Sequence, residues 1–126
     1  MAKFLFLDNL FYIIKNEVTP DAFKARISLD ASHDIYKGHF PDNPITPGVC
    51  ILQMVKETIM NTYNIPLELE QLKHSKFLAF INPNLQPNVD LDVDIQEKDE
   101  TGWQVAAVVK SEDGVHVKFS GRYKIN

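Results

Sequence analysis

The stretch that decides the fold is His39-Phe40-Pro41-Asp42-Asn43-Pro44-Ile45-Thr46-Pro47-Gly48-Val49, which runs directly into Cys50-Ile51-Leu52-Gln53-Met54-Val55. Prolines at 41, 44 and 47 preset φ at every third residue and stiffen an extended, polyproline-like arm. Gly48 then releases the chain into an apolar run that reads as a buried helix. A histidine, a rigid arm and a glycine at a helix entrance together make a fixed site. The imidazole exchanges protons near neutral pH, and the free backbone N–H groups of a helix start bind an oxyanion.

Working outward, Phe11 to Val18 reads as a strand, Thr19-Pro20-Asp21 as a turn and Ala22 to Ala31 as a second strand. In that second strand Phe23, Ala25, Ile27 and Leu29 alternate with Lys24, Arg26 and Ser28, the period of a half-buried strand. Residues Ser32 to Pro47 are irregular, with one helical turn around Asp34-Ile35-Tyr36-Lys37. The helix is expected from about Pro47 to Tyr63, apolar on nearly all sides through its first two turns and hence enclosed. Strands follow at Leu69 to Ile81, Val89 to Ile95, Trp103 to Lys110 and, after the Asp113-Gly114 turn, Val115 to Lys124. In the second of these, Asp90, Asp92 and Asp94 form a wet face. The order predicts one α+β domain over residues 1–126, a curved antiparallel sheet wrapped around one long central helix.

The chain has 126 residues, enough for one real core and too few for two. A net charge of −4 leaves no basic patch for phosphates, which argues against nucleic acid. Asp8 and Asn9 break the apolar run Phe4-Leu5-Phe6-Leu7, so no export signal is expected, and no apolar run is long enough for a membrane span. The single cysteine is compatible with a cytoplasmic location. No histidine has metal-ligand spacing, and neither a metal nor a cofactor is expected.

The segment Gly38-His39-Phe40-Pro41 through Pro44 and Pro47-Gly48-Val49, set between two strands and a central helix, resembles the hotdog-fold 3-hydroxyacyl-acyl carrier protein dehydratases (FabZ-like). Tyr36-Lys37-Gly38, the strand around Ser75-Lys76-Phe77, the loop near Pro87 and the closing strands also fall where that family has them. The resemblance therefore spans the chain. It implies a lyase of fatty acid or related lipid or polyene synthesis, acting on thioesters of acyl carrier protein or coenzyme A. It also implies a homodimer whose sheets join edge to edge around an interfacial site; a heterodimer with a related hotdog subunit is the alternative that the residue at position 53 raises. By position, His39 corresponds to the family's catalytic histidine. Gly48 corresponds to the N–H that holds the thioester carbonyl, flanked by Phe40 and Val49 as substrate-binding residues.

The departures are informative. Five residues after that glycine the family carries a helix carboxylate, contributed across the dimer; here Gln53 occupies the position. Glutamine can hold the same hydroxyl but cannot give it a proton. Losing a general acid typically costs ~10²–10⁴ in rate. A partner subunit carrying the carboxylate would make good the loss. Asp42 stands where the family usually has glycine, a position Asp tolerates. Glu57, one turn beyond Gln53, and Asp42 are candidate substitute acids, although an exposed charge paired with a lysine is the simpler reading of Glu57. His116 is expected to face solvent, and Cys50 is expected to be an ordinary buried thiol. Phe77, Leu78 and Phe80 should set the depth of an acyl tunnel. Two other functions fit the same pattern: acyl-thioester hydrolysis, and a non-catalytic module that binds carrier-linked acyl chains.

Overall fold

The structure is a computed structural model and describes residues 4–38 and 43–126. Strands β1 (Phe11–Thr19) and β2 (Ala22–Leu29) form a hairpin. A short 3-10 turn (Asp34–Tyr36) leads to the arm and to helix α1 (Gly48–Tyr63). Strands β3 (Leu67–Phe77), β4 (Asn88–Lys98), β5 (Gly102–Ser111) and β6 (Gly114–Ile125) complete the domain. They form one antiparallel sheet in the order β1-β2-β4-β5-β6-β3.

Alternation in the sequence dictates which face is buried. Phe23, Ala25, Ile27 and Leu29 of β2 point inward, as do Val89, Leu91, Val93 and Ile95 of β4 and Val105, Ala107 and Val109 of β5. Against them lie Ile51, Met54, Val55 and Ile59 of α1, so the helix fills the hollow of the sheet. Register shifts at Ile13/Lys15, Leu69/Gln71, Leu72/His74, Ile95/Glu97 and Val109/Lys110 supply the bending, because each extra residue increases local twist. Asn64 ends α1 in the left-handed region (φ 52°), its N–H bonded to Met60 O. Gly114 (φ 114°) provides the positive φ that the β5–β6 turn needs.

On the outer face Asp90 is paired with Arg26 at 2.9 Å and Asp92 with Lys110 at 2.8 Å, as befits a solvated strand. Three sequence expectations are corrected. The helix is not enclosed at its start: Val49 is 75% exposed and Gly48, Cys50, Leu52 and Gln53 are only partly covered. Its buried residues are Ile51, Met54, Val55 and Glu57 to Met60, Glu57 and Thr58 included. The strand expected at Leu69 to Ile81 stops at Phe77, because Leu78 N and Ala79 N turn aside to share His116 O at 2.7 and 3.3 Å. His116 is 2% exposed rather than solvent-facing, since that diverted segment lies over it. Its Nδ1 faces Ala79 O at 3.3 Å and its Nε2 faces Ser111 Oγ at 2.7 Å. A carbonyl can only accept, so Nδ1 donates to Ala79 O.

Candidate functional site

The arm and the end of β3 build one cavity. Pro47, Gly48 and Ile51 form the wall on the helix side, and Phe77, Leu78 and Phe80 form the opposite wall, enclosing about 610 Å³. That is the size and apolar character of a small-molecule site. The two walls are laced together below the opening, where Thr46 N donates to Ile81 O at 2.9 Å. Asn82 Nδ2 donates to Asn43 Oδ1 at 2.8 Å, pinning the arm to the loop after β3. A phenol and an alcohol close the back of the arm: Tyr36 OH and Thr46 Oγ1 are 2.9 Å apart and both residues are buried. Burial raises the Tyr36 phenol above its ordinary value, which keeps it a neutral hydrogen-bonding group.

The helix entrance itself is chemically open. Pro47 precedes α1 without a side-chain cap, and its carbonyl accepts from Cys50 N (3.0 Å) and Ile51 N (3.1 Å). Among the described residues, Gly48 N and Val49 N have no acceptor. The unpartnered amide of Gly48 and the positive end of a sixteen-residue helix therefore meet at the cavity. Glycine leaves room there for the ring of Phe77. A Cβ on residue 48 would lie 2.9 Å from the Phe77 ring edge. Phe77 thus roofs the helix entrance directly.

The second half of the expected site lies elsewhere on the helix. Gln53 does not line this cavity; its Nε2 donates to Glu57 Oε2 at 2.8 Å. Glu57 is wholly buried, and its Oε1 accepts from Phe6 N and Leu7 N, both at 2.9 Å, with Oε2 at 3.2 Å from Phe6 N. The reading of Glu57 as an exposed charge beside a lysine is therefore wrong. Its partners are backbone amides of the segment before β1, which a sequence pattern cannot display. Gly48 and Gln53 are thus not brought together within one chain. Val49, expected at the substrate, is exposed and is not part of the cavity wall.

His39, Phe40 and Asp42 lie outside the described residues. The remaining candidates resolve plainly. Cys50 is half-buried and burial pushes its thiol up, so the helix dipole does not make it a nucleophile. His33 caps the short 3-10 turn: its Nδ1 accepts from Ile35 N at 3.1 Å and its Nε2 lies 3.0 Å from Asn9 Oδ1. Sequence reading missed the Tyr36–Thr46 pair. Its only signal is a hydroxyl residue before the proline arm and another within it.

The family model described as ApeI-like, ApeI dehydratase, matches residues 15–120. No curated protein sequence matches the chain. Among solved structures, the dehydratase heterocomplex ApeI:P from Xenorhabdus doucetiae is similar at 20% identity and a TM-score of 0.66, covering 90% of this chain and 96% of that one. A hypothetical thioesterase with coenzyme A from Streptococcus pneumoniae is similar at 8% identity and a TM-score of 0.65, covering 92% and 85%. A putative thioesterase from Lactococcus lactis is similar at 12% identity and a TM-score of 0.63, covering 94% of each chain. At these identities the likeness is one of fold, the hotdog fold.

Proposed function

Because this chain belongs to the ApeI-like dehydratase family, we propose that it is a dehydratase subunit for 3-hydroxyacyl thioesters, completed by a related hotdog subunit. The observation that carries the reading is the apolar cavity opening onto the unpartnered amide of Gly48. The acyl chain lies along the cavity and the thioester oxygen faces Gly48 N–H. His39 removes the proton from C2. The electrons form the C2=C3 bond as the C3–O bond breaks, and the departing hydroxide takes a proton to leave as water. Charge building on the thioester oxygen is met by preorganised N–H groups and the helix dipole.

Proton donation to the leaving group is the step that Gln53 cannot perform. A carboxylate from the partner fills that role in the half-site formed by this chain's Gly48 and His39. The open side of β3 supports assembly. Among the described residues this strand pairs with β6 alone and is exposed along most of its length, with Leu72, Phe77, Leu78, Phe80 and Val49 uncovered around it. A bare edge beside an apolar patch is a pairing surface. The heterocomplex among the structural relatives supports a partner of the same fold. The substrate is carried by acyl carrier protein or coenzyme A.

The test is hydration of enoyl thioesters and dehydration of 3-hydroxyacyl thioesters, by the purified chain alone and co-expressed with a hotdog homologue bearing the helix carboxylate. Turnover should require the partner, and His39→Ala in this chain should abolish the part contributed by its half-site. Release of free thiol without hydration would support a thioesterase instead. Affinity for acyl carriers without turnover in either setting would support a binding module.

A further inference from the structure

We propose that Glu57 is a positioning residue that fixes the polarity of Gln53, so that Gln53 offers its carbonyl oxygen to the substrate's 3-hydroxyl group as a hydrogen-bond acceptor. The proposal rests on the dehydratase reading above and adds what position 53 does in place of donating a proton. The carboxylate of Glu57 is wholly buried and receives Phe6 N, Leu7 N and Gln53 Nε2, all between 2.8 and 3.2 Å. With backbone amides on both oxygens it cannot swing away. A carboxylate only accepts, so the nitrogen end of the Gln53 amide must face it. Turning the amide over would set a carbonyl oxygen against a carboxylate oxygen at the same 2.8 Å, two acceptors with nothing between them.

The other end of the amide follows from this. Gln53 Oε1 has no partner among the described residues, and the residue is only half-covered, so the oxygen is the group offered outward. An acceptor there binds the O–H of a 3-hydroxyacyl chain. In the reverse direction it binds one hydrogen of the water to be added. It stabilises the hydroxyl before the C3–O bond breaks and gives nothing to hydroxide after. Gln53 is therefore a recognition group, felt in binding, in the half-site that it reaches across the interface, while the partner's carboxylate gives its proton in the other half-site. A saturated chain of the same length offers no O–H and should bind more weakly, by the worth of one hydrogen bond, about 3- to 10-fold.

Calorimetry with 3-hydroxyoctanoyl-pantetheine and octanoyl-pantetheine uses the complex in which the partner's helix carboxylate is replaced by alanine, so that a hydroxyl preference reports the half-site that Gln53 reaches; turnover is measured with the partner unmodified. Wild type should favour the hydroxy compound about 3- to 10-fold. Glu57→Gln frees the amide of Gln53. The oxygen of the introduced side chain still accepts from Phe6 N and Leu7 N, but its NH₂ now donates to Gln53, which turns its own NH₂ outward, and the preference should shrink or vanish. The exchanged pair Gln53→Glu with Glu57→Gln restores an acceptor at position 53 and should restore the preference. Hydrogen exchange at Phe6 and Leu7 reports whether each variant keeps the amide latch, independently of any ligand. A preference that survives Glu57→Gln, or is not rescued by the exchanged pair with the latch intact, overturns the proposal. If wild type binds neither compound and turns over no 3-hydroxyacyl thioester, the dehydratase reading itself has failed.

Discussion

Truncating Glu57 to alanine isolates what the buried carboxylate does for the fold. Phe6 N and Leu7 N lose their acceptor, and a buried donor left unpaired costs roughly 1–3 kcal/mol. Both are only partly buried, so water that follows the truncation brings each toward the lower end, about 1 kcal/mol. The side-chain carbons removed from a site with no exposure leave a small void worth roughly 1 kcal/mol more. Against this stands the relief of returning one carboxylate to water, which reduces the sum. A net loss of about 2–3 kcal/mol is expected. With urea m-values of roughly 1–3 kcal/mol/M for small domains, the unfolding midpoint should fall by about 1–2 M. Amide exchange at Phe6 and Leu7 should accelerate more than exchange in the middle of β5, because the latch opens locally before the sheet does. An unchanged midpoint, or a variant more stable than wild type, would refute the reasoning and show that burying the charge costs more than its bonds return.

Three further outcomes follow from particular contacts. Gly48→Ala pushes a methyl to within 2.9 Å of a ring that is 52% exposed and free to yield; stability should change by less than about 1 kcal/mol, helix propensity offsetting the displacement, while acyl-thioester affinity falls as the ring moves into the cavity. Tyr36→Phe strands Thr46 Oγ1 in a buried setting and should cost about 1–3 kcal/mol in a denaturation curve, whereas Tyr36→Phe with Thr46→Val should cost less than the two single losses added together. Asp99 accepts from the Thr101 hydroxyl and amide, Gly102 N and Arg122, which hold its carboxyl well below the ordinary 3.8. Its folded value being depressed, its stabilisation is complete above the ordinary value and drains away as pH falls through the folded value, so Asp99→Asn should flatten the acid limb of stability below about pH 4.

The sheet is legible in the sequence because its strands obey a period of two on a chain with one clear interior face, and β2, β4 and β5 bury the residues that alternation selects. The helix position follows from Pro47 and Gly48, and the cavity wall from Phe77, Leu78 and Phe80. What stays hidden is tertiary. His116 sits in an alternating strand yet is buried, because a shift at Val109/Lys110 and the diverted Leu78–Ala79 segment act on it from other parts of the chain. Glu57 reads as a surface charge because its partners are backbone amides about fifty residues away in sequence. The apolar start of α1 reads as enclosed, yet Val49 is left uncovered by its own chain. In each case the sequence identifies the residue's type and not its surroundings, since a periodic pattern reports one face of an element and never what lies across from it.

The bare edge of β3 has a consequence for the life of the molecule in a cell. An eleven-residue strand with one backbone edge unpaired among the described residues, beside uncovered phenylalanines, is a template on which any extended peptide can add a strand. Under the proposed pairing, a copy that finishes synthesis before meeting its partner is the form most open to clumping and to chaperones and proteases. Production of the two polypeptides in matched amounts would then be a requirement of solubility as much as of chemistry, and surplus chains would be the first to be cleared.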